Sequence, residues 1–224
     1  MDTIESMIVE IMFLFLNDKD IYIMFDTMYN TLLKRIFDMK KLFIFLDIDG
    51  VLNNWKTNQL VNDHFINGTD ISKQIKFANW LSHERGDFVD VELLKNLQSL
   101  QLKYDETSII IISSWMSYYN HIVKKLKINE ANKYQKFSEF LEMSVIDAIE
   151  NTCGDGAIRY KQSKQIKDCL EKSKGNNTHH YLYLDDIDIP ENVVIDDDIK
   201  IVNINGRYGF DNTKLCETLF ILER

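Results

Sequence analysis

Phe43-Ile44-Phe45-Leu46-Asp47-Ile48-Asp49-Gly50-Val51-Leu52-Asn53 is the stretch that decides how this chain reads. Leu42 to Leu46 is an uninterrupted apolar run, the pattern of a strand covered on both faces of a parallel sheet. It ends in two carboxylates followed by a glycine suited to a tight turn. Side chains two apart on a strand project to the same side, so Asp47 and Asp49 are expected to lie close together. Two like charges at that range are costly unless a hard cation sits between them, or one carboxyl keeps its proton and serves as a general acid. D-x-D alone is a weak signal; the buried strand before it and Val51-Leu52 after it make the pair a catalytic candidate.

Outward from this stretch, Ser108–Ile112, Tyr181–Leu184 and Lys200–Asn203 are further strand-like runs. Two of them end in Ser113-Ser114-Trp115 and Asp185-Asp186. Ligands of open parallel sheets bind beyond the carboxyl ends of the strands, so three clusters distant in sequence are expected to converge. Taken singly, Ser113-Ser114 reads equally as a helix cap and Asp185-Asp186 as an acidic turn. Apolar spacing predicts crossover helices over Val89–Gln101, Phe137–Ile149 and Lys161–Lys172. The fold class is α/β, a central and mostly parallel sheet flanked by helices.

The domain is expected over residues 39–224, with residues 53–88, which carry Trp55, His64, Trp80, His83 and Arg85, as a small cap-like insertion after the first strand. Residues 1–38 read as an N-terminal helical extension. Its apolar stretch Ile8–Leu16 contains Glu10 and falls short of the roughly 20 residues a membrane-spanning helix needs, so no stable membrane insertion is expected. No Ala-x-Ala cleavage site follows it.

The 224 residues are 45% hydrophobic with a single proline, which excludes collagen-like and disordered classes. A net charge of −9 argues against a uniformly basic, nucleic-acid-coating surface. Cys153, Cys169 and Cys216 include no C-x-x-C pair, so neither a disulfide scaffold nor a zinc site is indicated, and a reducing, cytoplasmic compartment is expected.

Residues 43–53 resemble the first motif of the haloacid dehalogenase-like (HAD) superfamily of phosphohydrolases. More narrowly, D-x-D-G-V-L-N, S-S-W, L-D-D and the late Arg207-Tyr208-Gly209-Phe210 resemble the HAD domain of Swiss Army Knife RNA-repair proteins, over residues 40–224. The resemblance implies a Rossmann-like HAD fold and Mg²⁺. It implies Asp47 as nucleophile, forming an aspartyl-phosphate, and Asp49 as acid and base. Ser113 would bind a phosphoryl oxygen, with Ser114 its alternative, and Gly50 would join Ser114 in binding the substrate. Lys161 would be the third-motif cation, with Lys164 the other candidate and Arg159 a further phosphate contact. Asp185 and Asp186 would complete the Mg²⁺ shell with Asp47 and Asp49. Family members often carry Arg where this chain has Met116, and place a strand between the second and fourth motifs for which no clear run is evident.

The expected function is an Mg²⁺-dependent phosphatase acting on a nucleic-acid end (a 3′-phosphate of RNA or DNA) or a nucleotide. A general small-molecule phosphatase and a non-catalytic HAD-fold binding module are the alternatives. Trp55, Trp80, Trp115, Tyr118 and Tyr119 are candidates to stack on a base, and Lys124-Lys125-Leu126-Lys127 to hold a phosphate backbone. Against this, tryptophans more often fill cores and lysine runs are more often solvated.

Overall fold

The computed structural model describes residues 39–81, 87–126, 129, 132–149, 155–173, 175 and 177–223. The extension expected over residues 1–38 lies outside them, as do Cys153, His83 and Arg85.

The unit Lys40–Arg224 is built on a five-stranded, all-parallel sheet. β1 (Lys40–Leu46) occupies its centre, because every residue from Leu42 to Leu46 is buried. After β1 come α1 (Trp55–Asn67), β2 (Ile75–Ala78), β3 (Asp87–Asp90) and α2 (Val91–Ser99). β4 (Glu106–Ile111), α3 (Trp115–Leu126), α4 (Gln135–Leu141), β5 (Ser144–Ala148) and α5 (Gly156–Ser173) follow, then β6 (Thr178–Asp185), β7 (Ile199–Asn203) and α6 (Asn212–Leu222). The order in the main sheet is β5-β4-β1-β6-β7. The chain first winds outward from β1 through β4 to β5, then crosses back to β6 on the other side. The direction of winding therefore reverses between β1 and β6, and the crevice at their carboxyl ends is where such sheets bind ligands.

Alternation along β1 divides the core. Leu42, Ile44 and Leu46 face a large cluster with Leu93, Leu94 and Leu97 of α2, Trp115, Met116 and Tyr119 of α3, and Phe137, Phe140 and Leu141 of α4. Phe43 and Phe45 face a smaller cluster with Tyr160 of α5, Tyr181, Tyr183 and Ile199, completed by Ile189 and Val193 of the β6–β7 loop.

Two expectations need correction. The helix predicted over Phe137–Ile149 stops at Leu141, where Glu142 takes a left-handed conformation (φ 54°), and Ser144–Ala148 is the edge strand β5. This is the strand between the second and fourth motifs that the sequence hid. The helix predicted from Val89 starts at Val91, because Asp87–Asp90 is a strand whose last residue caps it: Asp90 accepts from the backbone of Glu92 and Leu93.

The insertion after β1 comprises α1 and the antiparallel pair β2–β3, packed around Val61, Ile71, Ile75 and Phe88. Asn54 caps α1, accepting from the Thr57 amide while the Thr57 hydroxyl accepts from its own, a reciprocal capping box. Asp90 N donates to Leu52 O (2.7 Å), tying the insertion to the turn after β1.

Candidate active site

The chain leaves the extended form after Leu46. Asp47 N still donates to Leu184 O (2.9 Å), fixing Asp47 against β6, but Val51 and Leu52 donate to Ile48 O and turn the chain over. Asp47 and Asp49 consequently differ in exposure. Asp47 is buried, 2% exposed, whereas Asp49 faces solvent at the rim.

Around Asp47 the structure gathers residues from three elements. Arg159, in the first turn of α5, donates through Nη1 to Asp47 Oδ2 (2.6 Å) and to both oxygens of Asp185 (3.3 Å each). Arg159 is 4% exposed, and its Nε has no acceptor among the described residues. Tyr183 Oη donates to Asp185 Oδ2 (2.9 Å), and Ile187 N to Asp185 Oδ1 (3.0 Å). Ser113, fully buried at the end of β4, accepts from Trp115 N (3.5 Å) and works with Arg159 to hold the Asp47 carboxyl down. Burial pushes the Asp47 carboxyl up to about 7, with Asp185 adding to the rise, although Arg159 pulls it down; desolvation outweighs the ion pair. Burial also works against the Arg159 charge, but Asp47 and Asp185 overcome it and raise its proton affinity. Asp186 is raised by burial and by neighbouring Asp185.

Asp47, Asp185 and Asp186 each offer an oxygen within 4.8 Å of the others. Three convergent carboxylates are the donor set a hard divalent cation takes. Asp49, expected in the same shell, stands outside this group. Its Oδ1 accepts from Asn53 Nδ2 (3.0 Å) and Trp115 Nε1 (3.1 Å), and Ser114 Oγ lies 3.4 Å from its Oδ2.

Gly50 and Gly206 make room for Asp186. Gly50 has φ 74°, and a Cβ on it would lie 2.0 Å from Asp186 Oδ2; a Cβ on Gly206 would lie 2.7 Å from the same oxygen. Asp49, Gly50, Asn53, Asn54, Asn58, Asp87, Phe88, Trp115, Asp186 and Gly206 line a cleft of about 450 Å³ at this edge of the sheet. It lies between the sheet's carboxyl edge and the inserted α1 and β3.

The lysines named from sequence lie elsewhere. Lys161 is exposed on α5, and Lys164 pairs with Asp196 (2.6 Å). The cation brought to Asp47 is Arg159, because the buried stripe of α5 runs through Gly156, Arg159, Tyr160, Ser163 and Lys167. Met116, where an arginine was the family expectation, is fully buried in the core. Trp115 and Tyr119 are core residues, and Trp80 packs against them. The side chains of Tyr118 and of residues 125–127 lie outside those described. Sequence reasoning missed Asn53, Gly206 and the indole N–H of Trp115. Asn53 and Trp115 carried a signal, as the last residues of the D-x-D-G-V-L-N and S-S-W stretches; Gly206 carried none.

A model of the family described as the HAD domain in Swiss Army Knife RNA repair proteins matches residues 43–215. No curated protein and no solved structure matches the chain.

Proposed function

From the premise that the chain belongs to the HAD domain family of Swiss Army Knife RNA repair proteins, a family that suggests a phosphohydrolase, we propose a phosphatase working through an aspartyl-phosphate on a nucleic-acid end, such as a 3′-phosphate, or a nucleotide. The observation that carries the reading is the division of labour at the β1 terminus. One aspartate is buried against a cation and two further carboxylates; the other, two residues on, is exposed at the cleft.

In this reading Asp47 attacks phosphorus, and its new O–P bond forms as the bond to the leaving oxygen breaks. Asp49 gives that oxygen a proton. Its Oδ1 is occupied by Asn53 and Trp115, while Oδ2 has only the long contact from Ser114 Oγ (3.4 Å) and is the oxygen that carries the proton. Asp49 then takes a proton from the water that attacks the aspartyl-phosphate, releasing phosphate and restoring Asp47. Ser113 and the spare Nε–H of Arg159 are donors for phosphoryl oxygens. Asp47, Asp185 and Asp186 would hold Mg²⁺, which when bound offsets the phosphoryl charge. The 53–88 insertion acts as a small cap over the cleft, and the domain spans 39–224.

The test is phosphate release from 3′- and 5′-phosphorylated oligonucleotides, free nucleotides and p-nitrophenyl phosphate. Asp47→Asn should reduce turnover by about 10⁴-fold or more without changing the fold, since no other carboxylate replaces the nucleophile. Chelator should abolish the wild-type rate. Near-wild-type activity in either case would overturn the mechanism.

A further inference from the structure

Trp55 and Tyr208 are 57% and 56% exposed, unlike Trp80 and Trp115 in or against the core. The Arg207 guanidinium lies over both rings, 5.9 Å from each centroid. Arg207 is itself exposed and makes no ion pair among the described residues, although the surrounding chain is acidic. Two well-exposed rings bridged by an uncommitted arginine offer flat, cationic surface to a planar ligand.

The position of this group is fixed by the cleft. Trp55 follows Asn54, and Arg207 follows Gly206; Asn54 and Gly206 both line the cleft with Asp49 and Asp186. Asn54 Nδ2 donates to Tyr208 O (3.0 Å), and Phe210 N donates to Val51 O (2.8 Å), so the two segments are bound together. Trp55 is also held by its place in the first turn of a capped helix. The rings therefore stand on a braced surface next in the chain to residues that line the cleft.

We propose that Trp55, Arg207 and Tyr208 form a stacking site for a nucleobase adjoining the phosphate that enters the cleft. The inference rests on the nucleic-acid-end reading and adds to it the residues that recognise the base. Charge supports stacking over backbone attraction: at −9 overall the protein repels a long polyanion, so affinity for a strand must come from a short contact that every base can make. Arg207 joins the stack and also offsets the nearest phosphate.

The experiment measures binding of a fluorescein-labelled single-stranded hexanucleotide with a 3′-phosphate by anisotropy, on the full chain carrying Asp47→Asn so that the ligand is not consumed. Trp55→Ala and Arg207→Ala should each weaken binding about tenfold, while Trp55→Phe, which keeps a ring, should stay within about threefold. An abasic strand with the same phosphates should bind the parent as weakly as the intact strand binds Trp55→Ala. In chains with Asp47 intact, the ratio of kcat/KM for the oligonucleotide to that for p-nitrophenyl phosphate should fall with both alanine variants. Equal binding by parent and variants, an abasic strand bound as tightly as the intact one, or no binding by the parent would overturn the site. If p-nitrophenyl phosphate is not hydrolysed yet Trp55→Ala still loses the strand, the phosphatase reading falls and the stacking site stands. If hydrolysis holds and the variants bind normally, the reverse is true.

Discussion

The contact between Asp186 and two glycines allows the metal-site reading to be tested apart from folding. Gly50 has φ 74°, so a side chain there is strained by about 1 kcal/mol in its backbone alone. Its Cβ would also meet Asp186 at Cβ as well as at the carboxylate, 2.8 Å and 2.0 Å away. Gly206 differs: its added Cβ crowds only the tip of Asp186, at 2.7 Å, with the next contact 3.5 Å away. The end of a side chain can rotate aside, whereas its base cannot. Gly206→Ala should therefore keep the wild-type melting temperature within about 2 °C while raising the Mg²⁺ concentration needed for half-maximal activity several-fold. Gly50→Ala should lose both stability and activity. An unchanged metal requirement in Gly206→Ala would mean that the Asp186 carboxylate is not placed for a cation.

The strands that carry Asp47, Ser113 and Asp185 were legible because β1, β4 and β6 lie inside the sheet. Burial on both faces leaves a continuous apolar run with a polar residue where the strand ends. β5 was not, because it is an edge strand with exposed positions at Ser144 and Ile146, and Phe137, Phe140, Leu141, Val145 and Ile149 happen to fit helical spacing across the break. The break itself falls on Glu142 in the left-handed region, where no glycine marks it. The phase of α5 was hidden for another reason: its buried face is partly polar, so apolar spacing did not identify Arg159 over Lys161.

That polar face also predicts a stability effect. Lys167, 5% exposed, donates to Asp196 (3.0 Å) and Asp198 (2.9 Å), and Lys164 also reaches Asp196. Burial works against the Asp196 charge, but the hydrogen bonds from Lys164 and Lys167 prevail and hold its carboxyl down at about 2. A carboxylate with a depressed folded pKa lends stability that is present above the unfolded value of 3.8 and lost as pH falls toward 2. Asp196→Asn should cost about 1 kcal/mol at pH 7, after allowance for solvent screening, and about a third of that at pH 2.5, where the folded carboxylate is still largely ionised. Urea denaturation at the two pH values checks this; an equal loss at both would assign the effect to packing rather than charge.

At the scale of the whole molecule, the reversal of winding between β1 and β6 puts Asp47 and Asp185 side by side, and that proximity gives stability a dependence on both metal and proton. In the metal-free chain, Asp47 binds its proton more tightly when folded (about 7) than when unfolded (3.8). The stability this lends is fully present below pH 3.8 and is lost as pH rises through 7. A divalent cation reverses the sign, because it binds the ionised carboxylates and must displace that proton. At pH 8, free Mg²⁺ at about 100 times its Kd should add about 2.7 kcal/mol, or roughly 5 to 10 °C in Tm for a domain of this size. At pH 5.5 the same Mg²⁺ concentration should add only about 1 kcal/mol, since its apparent affinity falls about tenfold per pH unit below the carboxyl's pKa. Asp185→Asn should remove most of the shift at both pH values. Thermal melts with and without Mg²⁺ read this without any substrate; a shift equal at pH 5.5 and 8, or undiminished in Asp185→Asn, would mean that the cation binds somewhere other than the Asp47–Asp185–Asp186 cluster.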